Sequence, residues 1–201
     1  MTLERTKWDE RQDPMRISIS GPPGSGKTTV CRLVAERLDY DYILVGQIFR
    51  QMALERKVDL DTFGRLAEED ETIDKELDER MLALARANEN IVLEGRLTGA
   101  MLKGRKLPVY AVFVTASEDI RAARIARREG QEKDLVLREI RTRERSEKKR
   151  YLAYYGIDPY DRSIYDLWID SSEKSPEEIA DLVIEGARKD SHEYARQDQK
   201  A

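Results

Sequence analysis

From Arg16 onward, short apolar runs alternate with longer stretches in which apolar residues recur every three or four positions. RISIS reads as a first strand, and Lys27–Leu38 as a helix with Val30, Leu33, Val34 and Leu38 on one face. DYILV reads as a second strand, GQIFRQMALERK as a helix, and 59–87 as two or three more. IVLEG, from Ile91, reads as a buried strand, and PVYAVFV as another. Ser117–Glu129 has a cap residue in front and Gly130 behind, so a helix is expected there. A long charged helix is expected over 135–155, and a last strand at YDLWID, Tyr165–Asp170. The final helix has Ser175 as N-cap and Pro176 at its first position. Strands alternating with helices predict an α/β domain around a parallel sheet. LTGAMLKGRKLP, 97–108, with its basic Lys103-Gly-Arg-Lys stretch, reads as a surface loop. Residues 1–14 are polar and read as a loose arm with Met15 as a candidate start, and a polar tail that frays is expected after Lys189.

Composition narrows the class. The chain has 201 residues, room for one α/β domain with small insertions. Charged residues make up 38% of it, yet the net charge is only −4, so bulk electrostatics argues against a nucleic-acid binder. One cysteine, Cys31, excludes a disulfide framework and reads as a small core residue. One histidine, His192, falls in the polar tail, which leaves no basis for a histidine metal site or a histidine base. No apolar run is long enough to span a membrane, and the N-terminus has no apolar signal segment, so a cytoplasmic protein is expected.

The chemistry begins at GPPGSGKTT, which sits between the first strand and the first helix. Gly21-x-x-x-x-Gly26-Lys27-Thr28 is a complete Walker A pattern. Glycines let backbone N–H groups turn inward around phosphate oxygens, and the helix opening at Lys27 adds its positive end. The Lys27 ammonium is placed to reach the β- and γ-phosphates, and the Thr28 hydroxyl to ligate Mg²⁺.

What receives the phosphate is a separate question. VGQIFR brings Gly46 to a helix start and Arg50 one turn in, where a guanidinium could hold an anionic phosphate or simply be solvated. VLEGR ends a predicted central strand, where ligands of open α/β sheets bind. Glu94 there could hold Mg²⁺ through water and Arg96 an acceptor phosphate, or the two could be a buried pair. The basic stretch Arg127–Tyr151, with Gly130 near its start, suits a mobile lid that brings cations and excludes water. Most of its charges would also suit a solvated helix.

GPPGSGKTT, VGQIFR, EEDETIDKELDER, VLEGRLTG, RIARREG and RERSEKKRYLAYYGID together, in that order, resemble the archaeal-type (type 2) cytidylate kinases, a branch of the nucleoside monophosphate kinases. The resemblance runs from about Met15 to about Ile184. It implies a P-loop NTPase fold, three-layer α/β/α with a five-stranded parallel sheet, in a single domain over 15–190. A helical monophosphate-binding insertion would span about 45–88 and a short lid about 128–150. The implied reaction is transfer of the γ-phosphate of ATP to CMP or dCMP, with Mg²⁺, by a monomer. The implied ATP site is Gly21, Pro22, Pro23, Gly24, Ser25, Gly26, Lys27, Thr28 and Thr29, with Arg127 from the lid start beside Arg128. The implied monophosphate site is Gly46, Arg50, Arg96, Arg143 and Glu147. Lys27, Arg143 and Arg150 would be catalytic, and Thr28 and Glu94 (through water) would serve the metal. Residues 143, 147 and 150 share one helix face, so Glu147 can hold the arginines apart.

One position departs from the bacterial branch. There the acidic-Gly-Arg motif ends in a carboxylate that helps read cytosine; here Leu97 follows Arg96 and cannot accept a hydrogen bond. Base readout then comes from elsewhere. An adenylate-type kinase, an NTPase coupled to a protein or RNA partner, and a non-turnover phosphate-binding module remain as other readings.

Overall fold

The computed structural model describes the backbone of residues 15–198 and side chains as far as residue 190; the expected arm 1–14 and His192 lie outside the described side chains. Five strands, β1 (Arg16–Ser20), β2 (Asp41–Leu44), β3 (Ile91–Glu94), β4 (Tyr110–Thr115) and β5 (Leu167–Asp170), form one parallel sheet in the order β2-β3-β1-β4-β5. The helices are α1 (Lys27–Leu38), α2 (Val45–Glu55), α3 (Leu60–Glu69), α4 (Glu71–Ala87), α5 (Thr98–Gly104), α6 (Glu118–Glu129), α7 (Lys133–Tyr155) and α8 (Pro176–Asp198).

Alternation along the strands builds three layers. Ile17, Ile19, Val92, Val112 and Val114 face α1 and α8, where Val30, Cys31, Val34, Ile179 and Val183 complete one core. On the other face Ile91 and Leu93 pack with Met81 and Leu82 of α4 and Met101 and Leu102 of α5. Next to them Phe113 stacks on Trp168 at 4.0 Å between ring centroids. The helices α2, α3 and the start of α4 keep a small core of their own: Met52, Ala53, Phe63, Ala67 and Ile73.

Local signals set the helix ends. Ser117 accepts from the Ile120 N–H, and Gly130 closes α6 at φ 67°. Ser175 and Glu178 form a capping box: the Glu178 carboxylate accepts the Ser175 N–H at 2.7 Å, and the Glu178 N–H donates back to the Ser175 hydroxyl at 3.2 Å. Two expectations change. The 97–108 segment contains α5, because Leu97, Met101 and Leu102 fall on one side of a short helix and are buried. Gly99 lets this helix lie against β4: a Cβ there would sit 2.9 Å from the Ala111 Cβ. The last helix also continues past Lys189 to Asp198. No helix among the described residues is long and apolar enough to cross a membrane.

Candidate active site

The loop joining β1 to α1 requires glycine at three points: φ is 144° at Gly21, 77° at Gly24 and 90° at Gly26. A Cβ on Gly21 would lie 2.0 Å from the Val114 carbonyl oxygen, and one on Gly24 would lie 2.6 Å from that of Arg121. The loop is therefore pressed against β4 and α6 and cannot relax around a side chain. Pro22, Ser25 and Lys27 are buried, Pro23 is half-buried, and Thr28 and Thr29 are exposed at the mouth of the helix. The Lys27 ammonium donates to the Pro22 carbonyl at 2.7 Å, across the concavity that its loop forms. Burial, and next the positive Arg96, bring its pKa down to about 7.

Three residues behind the loop brace it and were not anticipated. Arg121 donates to the Ala116 and Pro23 carbonyls and pairs with Glu144. The Ser171 hydroxyl donates to the Ser25 carbonyl at 2.9 Å and is itself held by Arg124. The only sequence signal for Arg121 is an arginine on the buried face of α6, next to Ala122 and Ile125.

At the ends of β2 and β3 three oxygen-bearing side chains converge. The Thr28 hydroxyl donates to Glu94 Oε1 at 3.0 Å, and the Tyr42 hydroxyl donates to Glu94 Oε2 at 3.1 Å. Tyr42 thereby fixes the carboxylate that faces Thr28. Nothing local to DYIL marks this tyrosine; its role follows only from the strand order.

The segment after β3 and the helix α7 bring two arginines to one carboxylate. Arg96 donates to the Gly21 carbonyl at 2.6 Å and pairs with Glu147 at 2.9 Å. Arg143 pairs with the other Glu147 oxygen at 2.9 Å. Burial alone would push the Glu147 carboxyl up, but Arg96, Arg143 and Arg150 outweigh it and hold the pKa low. A narrow cleft, partly open to solvent, lies between the phosphate loop and α7, lined by Gly21, Pro22, Arg96, Glu147 and Tyr151 among others.

Other expected residues stand apart. Arg150 is buried, and its Nη1 donates to both oxygens of Asp74 at 2.9 Å. Arg50 is exposed on α2, downstream of an exposed Gly46, with no ionic partner among the described residues. Arg127 is exposed at the end of α6, and Arg128 pairs with its neighbour Glu129.

Residues 16–173 match the model of the cytidylate kinase-like family. The chain belongs to that family. Relatives named cytidylate kinase include those of Methanosarcina mazei, 44% identical across 84% of this chain and 94% of their own length, and Archaeoglobus fulgidus, 40% identical across 85% and 93%. Among solved structures, a gluconokinase from Sinorhizobium meliloti superposes with TM-score 0.55 at 18% identity, covering 93% of this chain and 99% of its own. A shikimate kinase from Acinetobacter baumannii gives 0.54 at 16% identity, over 85% and 90%. At these identities the structures support the family's fold and no more.

A further carboxylate of the insertion is tuned by its surroundings. Asp78 accepts from the Tyr155 hydroxyl, yet burial, first, raises its pKa to about 6. A carboxyl whose folded pKa exceeds its unfolded one stabilises the fold below the unfolded value near 3.8, and that contribution is lost as pH rises through 6. Asp78→Asn keeps a carbonyl for Tyr155 and removes the titration. The variant should melt several degrees above wild type at pH 7.5 and level with it at pH 4. An equal difference at both pH values would show that charge is not the cause.

Proposed function

We propose that this protein transfers the γ-phosphate of ATP to CMP or dCMP, giving ADP and the corresponding diphosphate, as a cytoplasmic monomer. The observation that carries the reading is Glu147 holding Arg96 and Arg143 beside the phosphate loop. A module that only binds ATP has no use for such a second set of cations. The relatives' name supplies the acceptor.

In this reading the triphosphate lies in the Gly21–Thr29 loop, with its oxygens on inward N–H groups and the start of α1. Lys27 exchanges the Pro22 carbonyl for the β- and γ-phosphates. The acceptor phosphate lies between Arg96 and Arg143, with Arg50 able to reach it as the insertion closes and Gly46 leaving the backbone open beside it. Arg127, at the start of the lid, reaches the nucleotide on lid closure. The acceptor's phosphate oxygen is already anionic near neutral pH, so no strong base is required. Catalysis is positioning with charge neutralisation.

The hydroxyl of Thr28 and the carboxylate of Glu94, 3.0 Å apart, are hard oxygen donors of the kind that suit Mg²⁺. Thr28 would hold it directly and Glu94 through water. When bound with ATP it would neutralise charge between the β- and γ-phosphates.

The test is ADP release from Mg·ATP with and without CMP, dCMP, UMP, AMP or GMP. Turnover that requires CMP or dCMP supports the reading. Preference for AMP would make this an adenylate-type kinase, and release independent of any monophosphate would make water the acceptor.

A further inference from the structure

Cytosine is set apart from uracil by one edge. It presents an amino donor at position 4 beside an acceptor at N3, whereas uracil presents the reverse. Selecting it calls for a carboxylate beside a donor, both shielded from water. Leu97 offers neither.

Among the described residues Asp74 and Glu147 are the most buried carboxylates; Asp78 is half-buried and accepts from the Tyr155 hydroxyl. Both Glu147 oxygens are committed to arginines of the phosphate set. Asp74, 4% exposed, uses both oxygens on the single Nη1 of Arg150, which leaves acceptor capacity on each. Arg150, 8% exposed, keeps a buried Nε with no hydrogen-bond partner. A buried donor left without an acceptor is costly unless a ligand takes it.

The pair also lies apart from the arginines held by Glu147. Arg143 and Arg150 are separated by about 10 Å along α7, at 1.5 Å per residue. Phosphate cations occupy one end of that span and the Asp74–Arg150 pair the other. Polar side chains bridge the seam here between α7 and the insertion. Besides Asp74–Arg150, Tyr155 donates to Asp78, and Tyr154 donates to the Ala67 and Glu68 carbonyls at 3.1 and 3.0 Å. The first part of α4 belongs to the small core of α2 and α3.

We propose that Asp74, held by Arg150, selects the base: the carboxylate accepts the cytosine 4-amino group and the guanidinium donates to N3 and O2. This rests on the monophosphate kinase reading. Arg150 then reads the base and does not grip the transferring phosphate.

The experiment compares kcat/KM for CMP, UMP and 2-pyrimidinone riboside 5′-monophosphate, which is CMP without its amino group. In wild type, CMP should exceed both. Asp74→Asn should lower CMP by roughly 10- to 100-fold. UMP should hold or rise, CMP and the 2-pyrimidinone nucleotide should become equivalent, and the KM for ATP should not move. If Asp74→Asn strands the arginine charge and fails to fold, the neutral pair D74N/R150Q must show the same collapsed CMP:UMP ratio. A ratio that persists, with both monophosphates losing equally or not at all, would make the pair a structural tie and overturn the proposal. Wild type that turns over no monophosphate would instead overturn the kinase reading, and this proposal with it.

Discussion

Replacing Lys27 with methionine lowers kcat by about a hundred- to a thousandfold, the range for removal of one preorganised donor aimed at developing charge. Methionine fills the volume of a side chain already buried among Val30, Cys31 and the loop, so the melting temperature should change little. Wild type carries a second signature. Burial holds Lys27 near pKa 7, so the free enzyme loses the proton as pH rises through 7. Bound phosphates need the ammonium. Above pH 7 nucleotide binding therefore takes up a proton, and affinity for ATP falls by at most about tenfold per pH unit. Calorimetry in two buffers of different ionisation enthalpy reads the uptake directly, and Lys27→Met should abolish it. A methionine variant with wild-type kcat would remove Lys27 from the transfer step.

Glu147→Ala carries the second large effect. The glutamate is 9% exposed and joins two arginines across the cleft. Removing it leaves Arg96, 16% exposed, without its carboxylate partner, while Arg143, 57% exposed, turns to solvent. Breaking a buried pair costs about 3–5 kcal/mol; the exposed half argues for the lower end, or roughly 6–12 °C in Tm. Because the folded carboxyl is held below its usual pKa, this stabilisation is complete above about pH 4.5 and is lost as pH falls through the folded value. The gap in Tm between wild type and variant should close on acidification. Turnover should fall further than stability explains, with a raised KM for the monophosphate, since neither arginine is then aimed. An unchanged KM for the monophosphate would place its phosphate elsewhere.

Legibility follows from how local each determinant is. The phosphate loop was readable because glycine freedom, the cationic side chain and the helix start all lie within GPPGSGKTT. Strands and helix caps were readable for the same reason: alternation, Ser117, Gly130, and Ser175 with Glu178 act over a few residues. α5 was missed because seven residues with a basic end give too short a pattern; its burial depends on the β4 surface that Gly99 meets.

The sequence by itself determined the order of the strands, the phosphate-binding loop and the single-face spacing of Arg143, Glu147 and Arg150. Only the tertiary structure decided the partners. It set Tyr42 on Glu94 through neighbouring parallel strands, and Arg96 on Glu147 through packing of α7 against the sheet. It also set Arg150 on Asp74, 76 positions away. Propensity and periodicity act within a turn or two, whereas a guanidinium is committed to one carboxylate among many only once burial removes the competing water.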